Sequence, residues 1–132
     1  MEKDEKHRYT KLLFDIGVVA SSHGLCQKSD IVMRALMALD AQKEEAVIGV
    51  GYNLIAWGKA DKAVELFQEK TKVLKQVSIM YEAMIGLALF ASKRYGEAER
   101  LLMLVKDKAE TDSVAAGFAD NLLKELKMVD VS

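Results

Sequence analysis

Gly17, Gly51 and Gly86 stand 34 and then 35 residues apart, and each follows a β-branched residue, Ile16, Val50 or Ile85. Three other series keep the same steps: Ser29, Ala63 and Ala98; Met33, Phe67 and Leu102; and Gly24, Gly58 and Lys93. Self-similarity at this length marks stacked supersecondary units, because one such unit cannot bury its apolar face alone. The spacing reads as helical hairpins. Glycine at the first position lets the second helix of a hairpin approach the first, and the small residue twelve positions on is expected opposite it. The large residues Met33, Phe67 and Leu102 are expected to fill the gap towards the next hairpin. Gly24 and Gly58 are placed to end first helices, where a left-handed residue closes the cap.

Composition agrees with helices. The 132 residues include no proline, 30% are charged and 51% hydrophobic, and Ala, Leu, Lys and Glu dominate. These side chains lose little rotamer freedom in a helix. The period is that of the tetratricopeptide repeat, which the chain resembles although the aromatic expected early in each unit is replaced by Leu13, Val47 and Glu82. The expected fold is all-α, with seven helices at about 5–23, 28–40, 44–58, 60–75, 78–93, 95–109 and 112–128. They make three antiparallel hairpins and a C-terminal capping helix with a stripe of Val114, Phe118, Leu122 and Leu126. Ser78 and the Thr111-Asp112-Ser113 cluster are candidate N-caps. Residues 1–10 form a charged segment, 11–128 a single repeat domain and 129–132 a tail.

Reactive side chains are few. His23 and Cys26 are three apart, but a zinc site needs three or four ligands and there is no second cysteine. The glycines are spread along the expected helices and their ends, not gathered in a phosphate-binding turn, and the carboxylates alternate with lysines as on a solvated surface. No metal, cofactor or catalytic activity is expected. The net charge of −1 makes no electrostatic case for nucleic acid or anionic lipid. The charged N-terminus is unlike a signal peptide, and the longest apolar run, Ala46 to Trp57, is too short to cross a bilayer and is broken by Asn53. With a single cysteine, a reducing cytoplasmic location is expected.

Function is sought in the helices themselves. In a tetratricopeptide array the first helix of each hairpin lines a concave surface. Its inward positions here are Phe14 and Val18, then Ile48, Tyr52 and Ile55, then Ala83, Leu87 and Phe90. The segments 46–57 and 79–91 are apolar nearly all round, as in helices covered on every side. Neighbouring hairpins cover only part, and the remainder would exceed the roughly 300–600 Å² patch of a typical monomer. A polypeptide partner is therefore expected. An alternative reading makes Tyr52 and Phe90 core residues, covered by the N-terminal segment or the C-terminal helix. Met80 and Met84 suit either an adaptable surface or an irregular core, and Trp57 reads as packing at a hairpin turn. Repeats that clamp a C-terminal carboxylate present charged donors. These inward positions are apolar and suit the nonpolar face of an amphipathic helix.

Glu44-Glu45-Ala46-Val47, Gly58 and Ala63-Val64-Glu65-Leu66-Phe67, within about residues 12–126, resemble the bacterial type III secretion chaperones, and among them the YscG-like needle-subunit co-chaperones. That resemblance implies a cytoplasmic chaperone that buries the amphipathic helix of a needle subunit and prevents premature polymerisation. It also implies a second small helical co-chaperone, placed by the resemblance near Phe14 and Val18 and on Met33, Leu36 and Met37. Two other readings stand beside it: a chaperone of secreted translocator proteins, holding an extended segment, and a general repeat scaffold.

Overall fold

A computed structural model of the chain describes residues 27–28, 30–31, 34–35, 44–74, 76–110 and 113–130. Five helices form among these residues: α1 Glu44–Ala56, α2 Ala60–Thr71, α3 Ile79–Ala91, α4 Tyr95–Lys108 and α5 Val114–Asp130. All-helical architecture among the described residues is as expected, with five helices there against the seven expected of the whole chain. The first two, at 5–23 and 28–40, lie largely outside the described residues, where only the short helical stretches 27–28, 30–31 and 34–35 are seen. The chain divides into two compact units, residues 1–75 and 76–132.

In the first unit, α1 and α2 pack as a hairpin around Val47, Val50, Leu54, Ala63, Val64 and Phe67, all buried. The turn is set by local chemistry. Gly58 takes a φ of +78°, its N–H donates to the Ile55 carbonyl at 3.1 Å, and the Lys59 N–H donates to the Leu54 carbonyl at 2.8 Å. These two bonds satisfy carbonyls that the end of α1 would otherwise leave open.

The hairpin contact differs from the expected one in its partner. A Cβ built on Gly51 meets the Phe67 ring, 2.6 Å from Cε2, and on Gly86 it meets Leu102 Cδ2 at 2.6 Å. The large residue sixteen positions on therefore lies over the glycine of its own hairpin, where Ala63 and Ala98 were expected. Ala63 and Ala98 are fully buried beside these contacts.

In the second unit, α3 and α4 repeat the hairpin and α5 packs on both. Lys93 adopts a φ of +66°, and the Lys93 and Arg94 N–H groups donate to the carbonyls of Phe90 and Leu89 at 3.0 and 2.9 Å. A lysine thus makes the turn that glycine makes in the first unit. Ser78 caps α3, accepting from the Tyr81 N–H at 3.1 Å, and Ser113 Oγ accepts from the Ala116 N–H at 3.1 Å in the first turn of α5. Tyr81 is fully buried, so the unit's large early side chain lies one place before the position held by Glu82.

The buried face of α5 is Ala115, Ala116, Ala119 and Leu126, while Val114 is 78% exposed. An i+4 stripe drifts by about 40° per step at 3.6 residues per turn, so Val114 and Leu126 lie about 120° apart around the helix. The alanines instead let α5 approach the hairpin closely. It covers the last hairpin as a capping helix should, on a face rotated from the expected stripe.

Candidate functional site

Helix α1 is buried on every side but one. Ile48, Tyr52 and Ile55 are half-buried, and Glu45 and Ala56 are exposed. Steps of three and four place these five on one face. Ile48 to Ile55 spans about 10.5 Å along the axis at 1.5 Å per residue. The rest of the helix, from Ala46 to Leu54, is core, including a fully buried Asn53. The accessible face is apolar along its length and acidic at its N-terminal end.

Helix α3 has a comparable face within the second unit. Met80, Leu87 and Phe90 are half-buried and Ala91 is exposed. Ala83 lies on the same side but is fully buried, so it belongs to the core and presents no surface to a ligand. Met84 is also buried. Phe90 is held by an edge-on contact with Tyr95, ring centroids 5.8 Å apart at 65°. Met80 takes Ala83's place among the accessible groups. Its position seven before Leu87, two helical turns, was the sequence signal for it.

Five of the expected contact residues, Ile48, Tyr52, Ile55, Leu87 and Phe90, are thus half-buried: too covered for solvated surface and too open for core. Phe14 and Val18, and the co-chaperone positions Met33, Leu36 and Met37, lie outside the described residues. Trp57 lies at the hairpin turn, 37% exposed, with Lys59 Nζ 3.7 Å from its ring centroid. That cation–π contact shields the ring.

Charges lie around the second unit's helices, not on its apolar face. Lys106 binds Asp120 at 3.0 Å and joins α4 to α5, and Lys124 binds the same carboxylate at 3.2 Å from within α5. The hydrogen bond from Lys106, then that from Lys124, holds the Asp120 carboxyl below the usual carboxylate range. Lys108 reaches Glu82 on α3 at 3.4 Å. Among the described residues no group of three or more His, Cys, Asp or Glu could hold a metal ion. No helix among them is long and apolar enough to cross a membrane.

The fold defines a TPR-like protein of antiparallel helical hairpins. Its likeness is to chaperones of type III secretion translocators. The Yersinia enterocolitica type III secretion chaperone SycD, solved with a peptide of the translocator YopD, matches at 19% identity over 91% of this chain and 93% of that one, with a TM-score of 0.68. PcrH from Pseudomonas aeruginosa matches at 13% identity over 96% of this chain and 95% of its own, with a TM-score of 0.73. PcrH in complex with the chaperone binding region of PopD gives 13% identity, 98% and 96% coverage and a TM-score of 0.71. At such identities the likeness establishes the fold. No protein-family model matches the sequence, and no curated protein resembles it in sequence. These neighbours belong to the translocator branch, which was the alternative reading, and not to the needle-subunit branch.

Proposed function

We propose that this protein is a cytoplasmic type III secretion chaperone that holds an apolar segment of a translocator protein against the accessible face of α1. The observation that carries the reading is the single open side of α1, where Ile48, Tyr52 and Ile55 stay half-buried while the rest of the helix is core. The solved complexes of SycD with a YopD peptide and of PcrH with a region of PopD support the choice of cargo. The role is binding, not catalysis: apolar side chains supply affinity by leaving water, and neighbouring polar groups set register. Holding the cargo would cover surface that otherwise drives aggregation before export.

The test is fluorescence anisotropy with overlapping labelled peptides from the translocators and needle subunit of the host's secretion system. A translocator peptide should bind, and Tyr52→Glu and Ile55→Glu should each weaken it at least about tenfold, because each sets an unpaired charge against apolar surface. Circular dichroism melts should show both variants folded. Binding of the needle-subunit helix alone would return the cargo to the needle branch. Tight translocator binding indifferent to both substitutions would remove the site.

A further inference from the structure

The open side of α1 is charged at one end only. Glu45 is exposed in the first turn, and Ile48, Tyr52, Ile55 and Ala56, which follow it on that side, are uncharged. At about 100° per residue Glu45 falls between Tyr52 and Ala56 around the helix, within about 20° of each. Along the axis it stands about 10.5 Å from Tyr52 and about 15 Å from Ile55. Glu44, half-buried, lies to the other side of Ile48, so two carboxylates flank the first apolar residue of the face. An acid in a first turn also favours the helix dipole. That role asks only for a place in the first turn, which Glu44 fills equally. It does not call for an acid in line with Tyr52.

We infer that Glu45 sets the direction and register of the bound segment by pairing with a Lys or Arg at one end of the cargo's apolar stretch. The inference rests on the reading of the α1 face as the cargo site. Apolar contacts alone do not orient a chain, because burial is non-directional and Ile48, Tyr52 and Ile55 offer similar surface to a segment running either way. A carboxylate at one end removes that ambiguity. Cargo laid on the face displaces water from beside Glu45, and the charge then acts through a medium of lower dielectric. A cation is favoured there and an acidic residue is opposed. The spacing follows from the geometry. An extended segment rises about 3.3 Å per residue, so a residue three places from the one on Tyr52 reaches Glu45. The cargo segment is therefore basic at the end over the first turn of α1, and its apolar side chains run from there towards Ile55.

The test is fluorescence anisotropy of the full chain with the tightest translocator peptide whose binding Tyr52→Glu weakens. That peptide is made in two forms, one unchanged and one with the Lys or Arg nearest its apolar stretch replaced by Glu. Glu45→Gln should weaken the unchanged form about two- to fivefold, the scale of an exposed ion pair. Glu45→Lys should weaken it about tenfold, since like charges then meet. The Glu45→Lys protein should bind the acidic form to within about threefold of the original pair, a coupling that helix stabilisation by Glu45 would not produce. Glu69→Lys makes the same change of net charge on an exposed position of α2 and should leave binding within about twofold. The losses at Glu45 should shrink between about 50 mM and about 500 mM salt. Binding that depends on Tyr52 but ignores the charge at Glu45 overturns the inference and leaves the site standing. So does a charge swap that fails to rescue, or a Tyr52-dependent peptide with no Lys or Arg within about five residues of its apolar stretch. If no translocator peptide depends on Tyr52, the site itself fails, and the inference with it.

Discussion

The ring of Phe67 occupies the space that a side chain at Gly51 would need, with Cε2 2.6 Å from a Cβ built there. Phe67 has no exposed surface, so the ring has nowhere to go. Gly51→Ala should therefore destabilise the protein by about 1–2 kcal/mol, overpacking of about 1–3 kcal/mol being partly offset by a helix-propensity gain of up to about 1 kcal/mol. Urea denaturation reads this directly. Gly117→Ala is the control: nothing lies within 4 Å of its Cβ, and it should stabilise by about 0.5–1 kcal/mol. Equal effects at the two glycines would mean that Phe67 does not set the hairpin distance.

The two hairpin turns make an opposed pair. Gly58 and Lys93 both hold positive φ, at +78° and +66°, but only glycine does so without a steric penalty. Lys93→Gly should stabilise by about 0.5–1 kcal/mol, whereas Gly58→Ala should cost about 1 kcal/mol, the usual size of a left-handed Cβ clash. Thermal melts of the two variants should move in opposite directions.

Ala83 and Ile55 separate core from binding surface. Ala83 is fully buried, so Ala83→Leu should cost about 1–3 kcal/mol of stability through overpacking. Ile55 is half-buried on the open side of α1, and Ile55→Ser should change stability little while weakening a bound translocator peptide about three- to tenfold, the scale of about 1 kcal/mol of lost apolar burial. Anisotropy beside a urea melt distinguishes the two. If Ile55→Ser melts the protein as Ala83→Leu does, the α1 face is core.

Acid should loosen α5 in a defined direction. The lysines hold the Asp120 carboxyl below its ordinary value, so the folded state binds a proton less readily than the unfolded one. Its stabilisation is present above the unfolded pKa of about 3.9 and is lost as pH falls through the lower folded value. Asp120→Asn should melt below the wild type at pH 7. That difference should close as the pH drops below about 4 and should shrink in high salt, because the pairs are exposed. A difference independent of pH would trace the effect to something other than the carboxylate's charge.

Much of the architecture was legible in local chemistry. Ser78 and Ser113 cap helices because a serine hydroxyl can accept the open N–H groups of a first turn. Gly58 closes α1 because only a left-handed residue completes that pair of turn bonds. Helical spacing put Ile48, Tyr52 and Ile55 on one face of an apolar helix, and the three are half-buried together there. Ala83 was misplaced because spacing assigns a direction around a helix and not the depth to which neighbours cover it.

The repeat spacing, the helix ends and the absence of a polar face on α1 and α3 follow from the order of residues, because each rests on contacts within one or two turns. Which residue lies over each hairpin glycine, which face of α5 is buried and how far each inward side chain is covered were decided only in three dimensions. Those outcomes depend on how closely two helices approach. That distance is set by side chains such as Phe67 and Leu102, which lie sixteen positions along the chain from the glycines they cover.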